Sequence, residues 1–203
     1  MDALKIGISL YRLIPAYIII VLSKNHNLIW EDLDFWNQLY GRKECNRFKK
    51  LGLMLFDFRE FRNLVAYRIK CGSQKDKILF IILHMLYPNM KSLYIYSDNI
   101  GHRLFIQHGF STIISAKKIG NECWINQQVT IGYEGDKAPV IGNHVRICAG
   151  AIIVGNVHVG NNSIIAAGAV VVNDVPDNEV WGGVPARYIK KVDGLSFDNK
   201  RKF

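Results

Sequence analysis

Two hydrophobic periods divide the chain. Between residues 27 and 86 apolar side chains recur at helical spacing. From residue 100 onward an aliphatic side chain returns every sixth position. In the first part, Asn27 is placed to cap a helix carrying Ile29, Leu33, Trp36 and Tyr40, with Glu31 and Asp32 in its first turn and Gly41 at its end. A second helical pattern runs through Phe58, Phe61, Val65 and Arg68 and stops near Gly72; a third, Ile78 to Leu86, ends before Pro88. Ahead of them lies an apolar stretch from Ile6 to Leu22, interrupted by Arg12 and Pro15. It is shorter than the roughly 20 uninterrupted apolar residues of a spanning helix, and no small-residue cleavage site follows it as in a signal peptide.

In the second part the six-residue series is Ile113, Ile119, Ile125, Ile131, then Ile141, Ile147, Ile153, Val159, Ile165 and Val171. A small or apolar residue stands two places before most of them (Cys123, Val129, Val145, Ala151, Val157, Ser163, Ala169), and glycine often follows, as at Gly120, Gly132, Gly142 and Gly160. Period six is neither helix nor ordinary strand. It fits a β-solenoid with three flat sides of six residues per turn, the aliphatic side chain filling the interior and the next residue tolerating positive φ at a corner. From Ile100 to Val171 the count gives nearly four turns. One break, Ile131 to Ile141, ejects four extra residues within Tyr133–Val140. The expected architecture is therefore α+β: a helical region over 1–92, a short parallel β-helix over 93–192 with one ejected loop, and a basic tail over 193–203.

Composition agrees with this division. Fifteen of the 23 aromatic residues precede residue 100, and 12 of the 17 glycines lie between Gly101 and Gly183. A hydrophobic fraction of 49% with 21% charged residues excludes a disordered chain. The net charge of +9 is concentrated on the helices, segment 42–77 holding 11 basic and 4 acidic residues. That segment is the solvated face of amphipathic helices or a contact with an anionic membrane surface. Four cysteines (Cys45, Cys71, Cys123, Cys148) in no metal-type or paired spacing point to reduced, buried thiols and a cytoplasmic protein, peripheral at the inner face of the membrane if the basic face binds lipid. Nucleic acid is not expected as a partner, since the aromatics of 42–70 read as core. No metal is expected, because His108, His144 and His158 share no hexad register.

The hexads, together with Gly182-Gly183-Val184-Pro185-Ala186-Arg187 after the last turn, resemble the left-handed β-helix hexapeptide acyltransferases. Within that family the helical N-terminal part, Ile106-Gln107-His108-Gly109 and Ile125-Asn126-Gln127-Gln128-Val129-Thr130-Ile131-Gly132 are most similar to the serine O-acetyltransferase branch, over residues 90–192. The resemblance implies acetyl-CoA as co-substrate and His108 as general base. Imidazole changes protonation near neutral pH and can take the proton of an attacking alcohol without a covalent intermediate. It places the pantetheine arm against Ala149 and Ala167, and Arg187 and Lys190 near the nucleotide phosphates. It also implies a homotrimer whose active sites are shared between subunits.

Three positions depart from that branch. Gln107 replaces the aspartate before the catalytic histidine, and Ala138-Pro139 replaces a His-Pro in the ejected loop. Tyr94-Ile95-Tyr96-Ser97, with Asp98 displaced, replaces the Asp-x-His-Pro that orients the base. The first two losses remove groups suited to a small zwitterion, and the third leaves Asp98 as the candidate partner that orients His108. Together with Gln107, Tyr133, Glu134 and Asp136 as acceptor-binding residues and Lys137 beside them in the loop, they favour a sugar hydroxyl of a capsule, O-antigen or similar glycan as acceptor. Serine is the alternative acceptor, and a non-catalytic β-helix scaffold is the alternative of a different class.

Overall fold

The computed structural model describes residues 3–42, 46–97 and 99–192, with side chains from Tyr11 onward. The expected basic tail and Asp98 lie outside the described residues. The chain forms two compact units, residues 1–90 and 91–203.

The first unit is five helices: α1 (Ala3–Leu22), α2 (His26–Leu39), α3 (Arg47–Asp57), α4 (Arg59–Lys70) and α5 (Gln74–Leu86). Trp36, Phe61, Leu33, Met54 and Leu64 are fully buried and form the centre. Helix α2 begins a residue before Asn27, so the residue at its N-cap is Asn25, whose amide nitrogen instead bonds the carbonyl of Arg68. Asp32, expected as a first-turn charge, is buried and paired with Arg68 of α4 at 2.9 Å. That pair satisfies two charges that burial would otherwise make costly. Helix α3 was not foreseen; Asn46 caps it, accepting the Lys49 backbone N–H at 2.8 Å. Ser73 and Asp76 close a capping box on α5.

The second unit is a parallel β-solenoid with three faces. The first face stacks β1 (Leu93–Ile95), β3 (Thr112–Ile114), β6 (Thr130–Gly132), β9 (Ile152–Val154) and β12 (Val170–Val171). The second stacks β4 (Lys118–Ile119), β7 (Val140–Ile141) and β10 (His158–Val159), continued at its ends by bridges from Ile100 and Val175. The third stacks β2 (Phe105–Ile106), β5 (Trp124–Ile125), β8 (Arg146–Ile147), β11 (Ile164–Ile165) and β13 (Glu179–Gly183), and β14 (Ala186–Lys191) folds back antiparallel on β13. Counting down the first face gives five turns, one more than the hexad series suggests, because the outermost turns lack the strict spacing. The inward residues Ile119, Ile125, Ile131, Ile147, Ile153, Val159, Ile165 and Val171 are fully buried as expected, and so are the small residues two places before most of them.

Two expectations fail for physical reasons. Ile113 faces outward at 40% exposed, and Ile114 takes the interior position opposite Ile131. The chain takes eight residues from Ile106 to Ile114 and only five from there to Ile119, so a strict count of six slips by one and reverses the faces. The glycines after the inward residues of the second face do not have positive φ either. A Cβ on Gly120 would stand 2.5 Å from the carbonyl oxygen of Gly142, the equivalent residue one turn on. These glycines are required by close backbone approach. Positive φ falls two places later, at Glu122, His144, Asn162 and Asn178.

Beside them runs a ladder. Asn121 Oδ1 accepts the His102 N–H, Asn143 Oδ1 that of Asn121, Asn161 Oδ1 that of Asn143, and Asp177 Oδ1 that of Asn161, at 2.6–2.9 Å. Gly120→Ala forces this corner apart. It is expected to destabilise the protein by about 1–3 kcal/mol in urea unfolding, with the secondary structure retained.

Candidate functional site

The corner between the third and first faces holds the expected chemistry. His108 stands two residues past the inward Ile106, and Gln127, Ala149 and Ala167 stand two past Ile125, Ile147 and Ile165. Strand pairing puts these four in one column. Backbone bonds continue through the corner: the Gly150 N–H donates to the Gln127 carbonyl and the Gly168 N–H to that of Ala149. His108 is exposed and takes positive φ (63°), and its carbonyl accepts the Phe110 N–H in a tight turn. Two extra residues at this point make the turn. No side chain among the described residues hydrogen-bonds to its ring. Below it the corner is open: a Cβ built on Gly168 meets nothing within 4 Å, and one on Gly150 meets only backbone at 3.8 Å. Beyond Gln127, small residues thus leave the backbone of two successive turns uncovered on the way to the C-terminal hairpin. Arg187 and Lys190 lie on that hairpin, in β14, both exposed.

Gln107 points along the outer side of the third face. Its Oε1 lies 3.2 Å from Trp124 Nε1 and 3.3 Å from Asn126 Nδ2. An indole N–H can only donate, so the amide oxygen is fixed toward Trp124 and Nε2 is turned away from it. Arg146, next in the column below Trp124, lays its guanidinium 4.6 Å from the indole centroid. Around these groups three buried polar atoms lack a hydrogen-bond partner among the described residues: Asn126 Oδ1, Gln127 Oε1 and Arg146 Nε. Buried orphans are uncommon and mark places where a ligand, water or second chain completes the bonding. Sequence reasoning did not single out Trp124, Asn126, Gln127 or Arg146 as site residues. The available signal was three consecutive amides, residues 126–128, at a corner filled two turns later by Ala and Gly.

The other expected residues are elsewhere. Tyr133, Glu134, Asp136 and Lys137 form the ejected loop after β6, closed by backbone bonds between Glu134 and Lys137. That loop occupies the corner between the first and second faces, across the first face from His108. Tyr96 and Ser97, after β1, belong to the same corner, and the Ser97 hydroxyl is consumed by the backbone of Ile114 and Ala116. No group of three or more His, Cys, Asp or Glu among the described residues could hold a metal ion.

Cys148 sits between Ile147 and Ala149 beside this uncovered backbone. Burial raises its thiol pKa, opposed by Arg146, while burial pushes Cys123 up to about 12. A thiol pKa raised above neutrality leaves little thiolate at pH 7, so neither is suited to nucleophilic catalysis. In a Cys45→Ser background at pH 8, exposed Cys71 is expected to react with an aromatic disulfide reagent at the rate of an ordinary thiol. Cys123 should react at least about 10²-fold more slowly, its rate rising with pH.

Residues 138–173 match the family model "Bacterial transferase hexapeptide (six repeats)". The chain is similar to a serine acetyltransferase of Staphylococcus xylosus, 38% identical over 109 residues, which are 50% of each chain. It is similar also to one of Synechococcus elongatus, 39% identical over 144 residues, 67% of this chain and 59% of that one. The chain thus spans about half the length of the curated relatives it matches. Among solved structures, the serine acetyltransferase of Brucella abortus strain S19 is 30% identical with a TM-score of 0.60, covering 81% of this chain and 68% of that one. A serine acetyltransferase in complex with CoA is 26% identical with a TM-score of 0.64, covering 81% and 69%. These likenesses overturn the sugar hydroxyl as the expected acceptor, and with it a place in polysaccharide synthesis.

Proposed function

This chain belongs to the hexapeptide-repeat acyltransferase family, among the serine acetyltransferases, and on that footing we propose that it transfers the acetyl group of acetyl-CoA to the hydroxyl of serine. The observation that carries the reading is the single corner column: His108 at one end, the open backbone of Ala149–Gly150 and Ala167–Gly168 below it, and the cationic β14 hairpin at the other. A long thioester lies along such a column with its phosphates at Arg187 and Lys190 and its acyl carbon at His108. The imidazole takes the proton of the serine hydroxyl as that oxygen attacks the thioester carbonyl. The tetrahedral adduct then collapses with cleavage of the C–S bond, and the proton passes to the departing sulfur of CoA. Direct transfer needs no enzyme nucleophile, in keeping with the protonated thiols nearby.

The acceptor side offers a zwitterion two neutral amides and one cation. Asn126 Oδ1 and Gln127 Oε1 are unfilled acceptors suited to an ammonium, and Arg146 Nε is an unfilled donor suited to a carboxylate. Gln107, fixed by Trp124, takes the place of an acidic residue by offering its amide N–H beside the histidine.

A homotrimer completes this site. The ejected loop lies across the first face from its own His108. The outer side of that face carries Tyr94, Ile113, Thr130 and Ile152 in register, the two isoleucines and the tyrosine exposed. Packing copies on this apolar face brings the Tyr133–Lys137 loop of one to the histidine corner of the next. A particle of about 70 kDa, three times 23.2 kDa, is the expected result of light scattering.

The reading is tested by CoA release from acetyl-CoA with L-serine. Serine-dependent turnover is expected, and release no faster than the blank overturns it. His108→Ala should lower kcat about 10²–10⁴-fold with the trimer intact. Gln107→Ala should raise the KM for serine about tenfold, the loss of one charge-assisted hydrogen bond, with a smaller effect on kcat.

A further inference from the structure

Helix α5 leaves Ile78, Ile81, Ile82 and Met85 between 43% and 77% exposed. At 100° per residue these four fall within an arc of about 100°, one continuous stripe. Lys75 borders the stripe on one side and Lys77 and His84 on the other, all exposed. The single acidic residue of the helix, Asp76, is buried in the capping box with Ser73 and contributes no charge to the surface. Helix α1, packed against α5, carries a second apolar stripe. Tyr11, Ile14, Ile18, Val21 and Leu22 are exposed within a similar arc, and the helix contains no acidic residue.

We propose that these two helix faces lie on an anionic lipid surface, with the α5 stripe in the headgroup boundary and Lys75 and Lys77 against lipid phosphates. The distribution of charge selects this occupant. A large apolar stripe edged only by cations is the pattern of an interfacial helix, which gains from apolar burial and anionic headgroups together. A second copy of the same face would bring Lys75 and Lys77 against their own equivalents with no exposed carboxylate on either helix to offset them. Spanning is not involved: no described helix is long and apolar enough to cross a membrane. The contact is independent of the acetyl-transfer reading, since none of these residues belongs to the solenoid.

The full chain is sedimented with vesicles of mixed phosphatidylglycerol and phosphatidylcholine at low salt, beside vesicles of phosphatidylcholine alone. Protein is expected to pellet with the anionic vesicles, and high salt should release it. Ile81→Glu/Met85→Glu and, separately, Lys75→Glu/Lys77→Glu should each lower the bound fraction about tenfold or more, with the far-ultraviolet dichroism unchanged. The charge-reversal pair alters no apolar packing, so it remains informative if the first pair misfolds. Wild-type protein left in the supernatant overturns the proposal, as does equal pelleting with both vesicle types. A reduced subunit number for Ile81→Glu/Met85→Glu in velocity sedimentation, without vesicle binding by the wild type, overturns it in favour of a contact between copies.

Discussion

Backbone approach at the corner between the second and third faces is the constraint on which the solenoid depends. Gly120, Gly142 and Gly160 stack so closely that a methyl group on one would enter the backbone of the next turn. Beside them Asn121, Asn143, Asn161 and Asp177 pass hydrogen bonds from turn to turn. With that corner pinned, the neighbouring strands are held at one strand spacing and in one register. Every side chain two residues past an inward aliphatic then lies in a line, whatever its identity. The candidate column at the histidine corner is a by-product of this regularity.

The two remaining corners are free of that constraint and are where the chain spends its irregularities. The third-to-first corner takes two extra residues at His108, and the first-to-second corner takes the loop after Gly132. Both insertions leave the interior untouched because the flanking strands rejoin the stack: β3 pairs β6, and β7 pairs β4. Chemistry is added to the outside of a repeat whose inside is fixed by packing.

This division explains what could be read from sequence. Interior positions such as Ile125, Ile147 and Ile165 obey a strict period and were legible one by one. The register at Ile113 was not, since steps of eight and five average close to six and conceal the slip. Helix α3 was hidden because it is short and carries Gly52, a weak helix former, in its interior. The Asp32–Arg68 pair depends on packing across 36 residues, beyond any local pattern. At the site, His108 stood out by its neighbours Gln107 and Gly109 and by family resemblance. Trp124, Asn126 and Arg146 did not, because a polar atom becomes an orphan only when adjacent turns cover it. The acceptor was not legible for a related reason: a missing side chain shows in the sequence, while a group one turn away that could replace it does not.

A stack of equal turns is also a ruler. From His108 to the start of the β14 hairpin the column crosses four strand spacings, about 19 Å at roughly 4.8 Å each. In the proposed reading, the reach between the reacting carbon and the phosphates of the donor is thereby set by an integer number of turns. Adding or removing one repeat would lengthen or shorten that column by a whole step, with no intermediate value available, so a donor arm of fixed length would call for a fixed turn count.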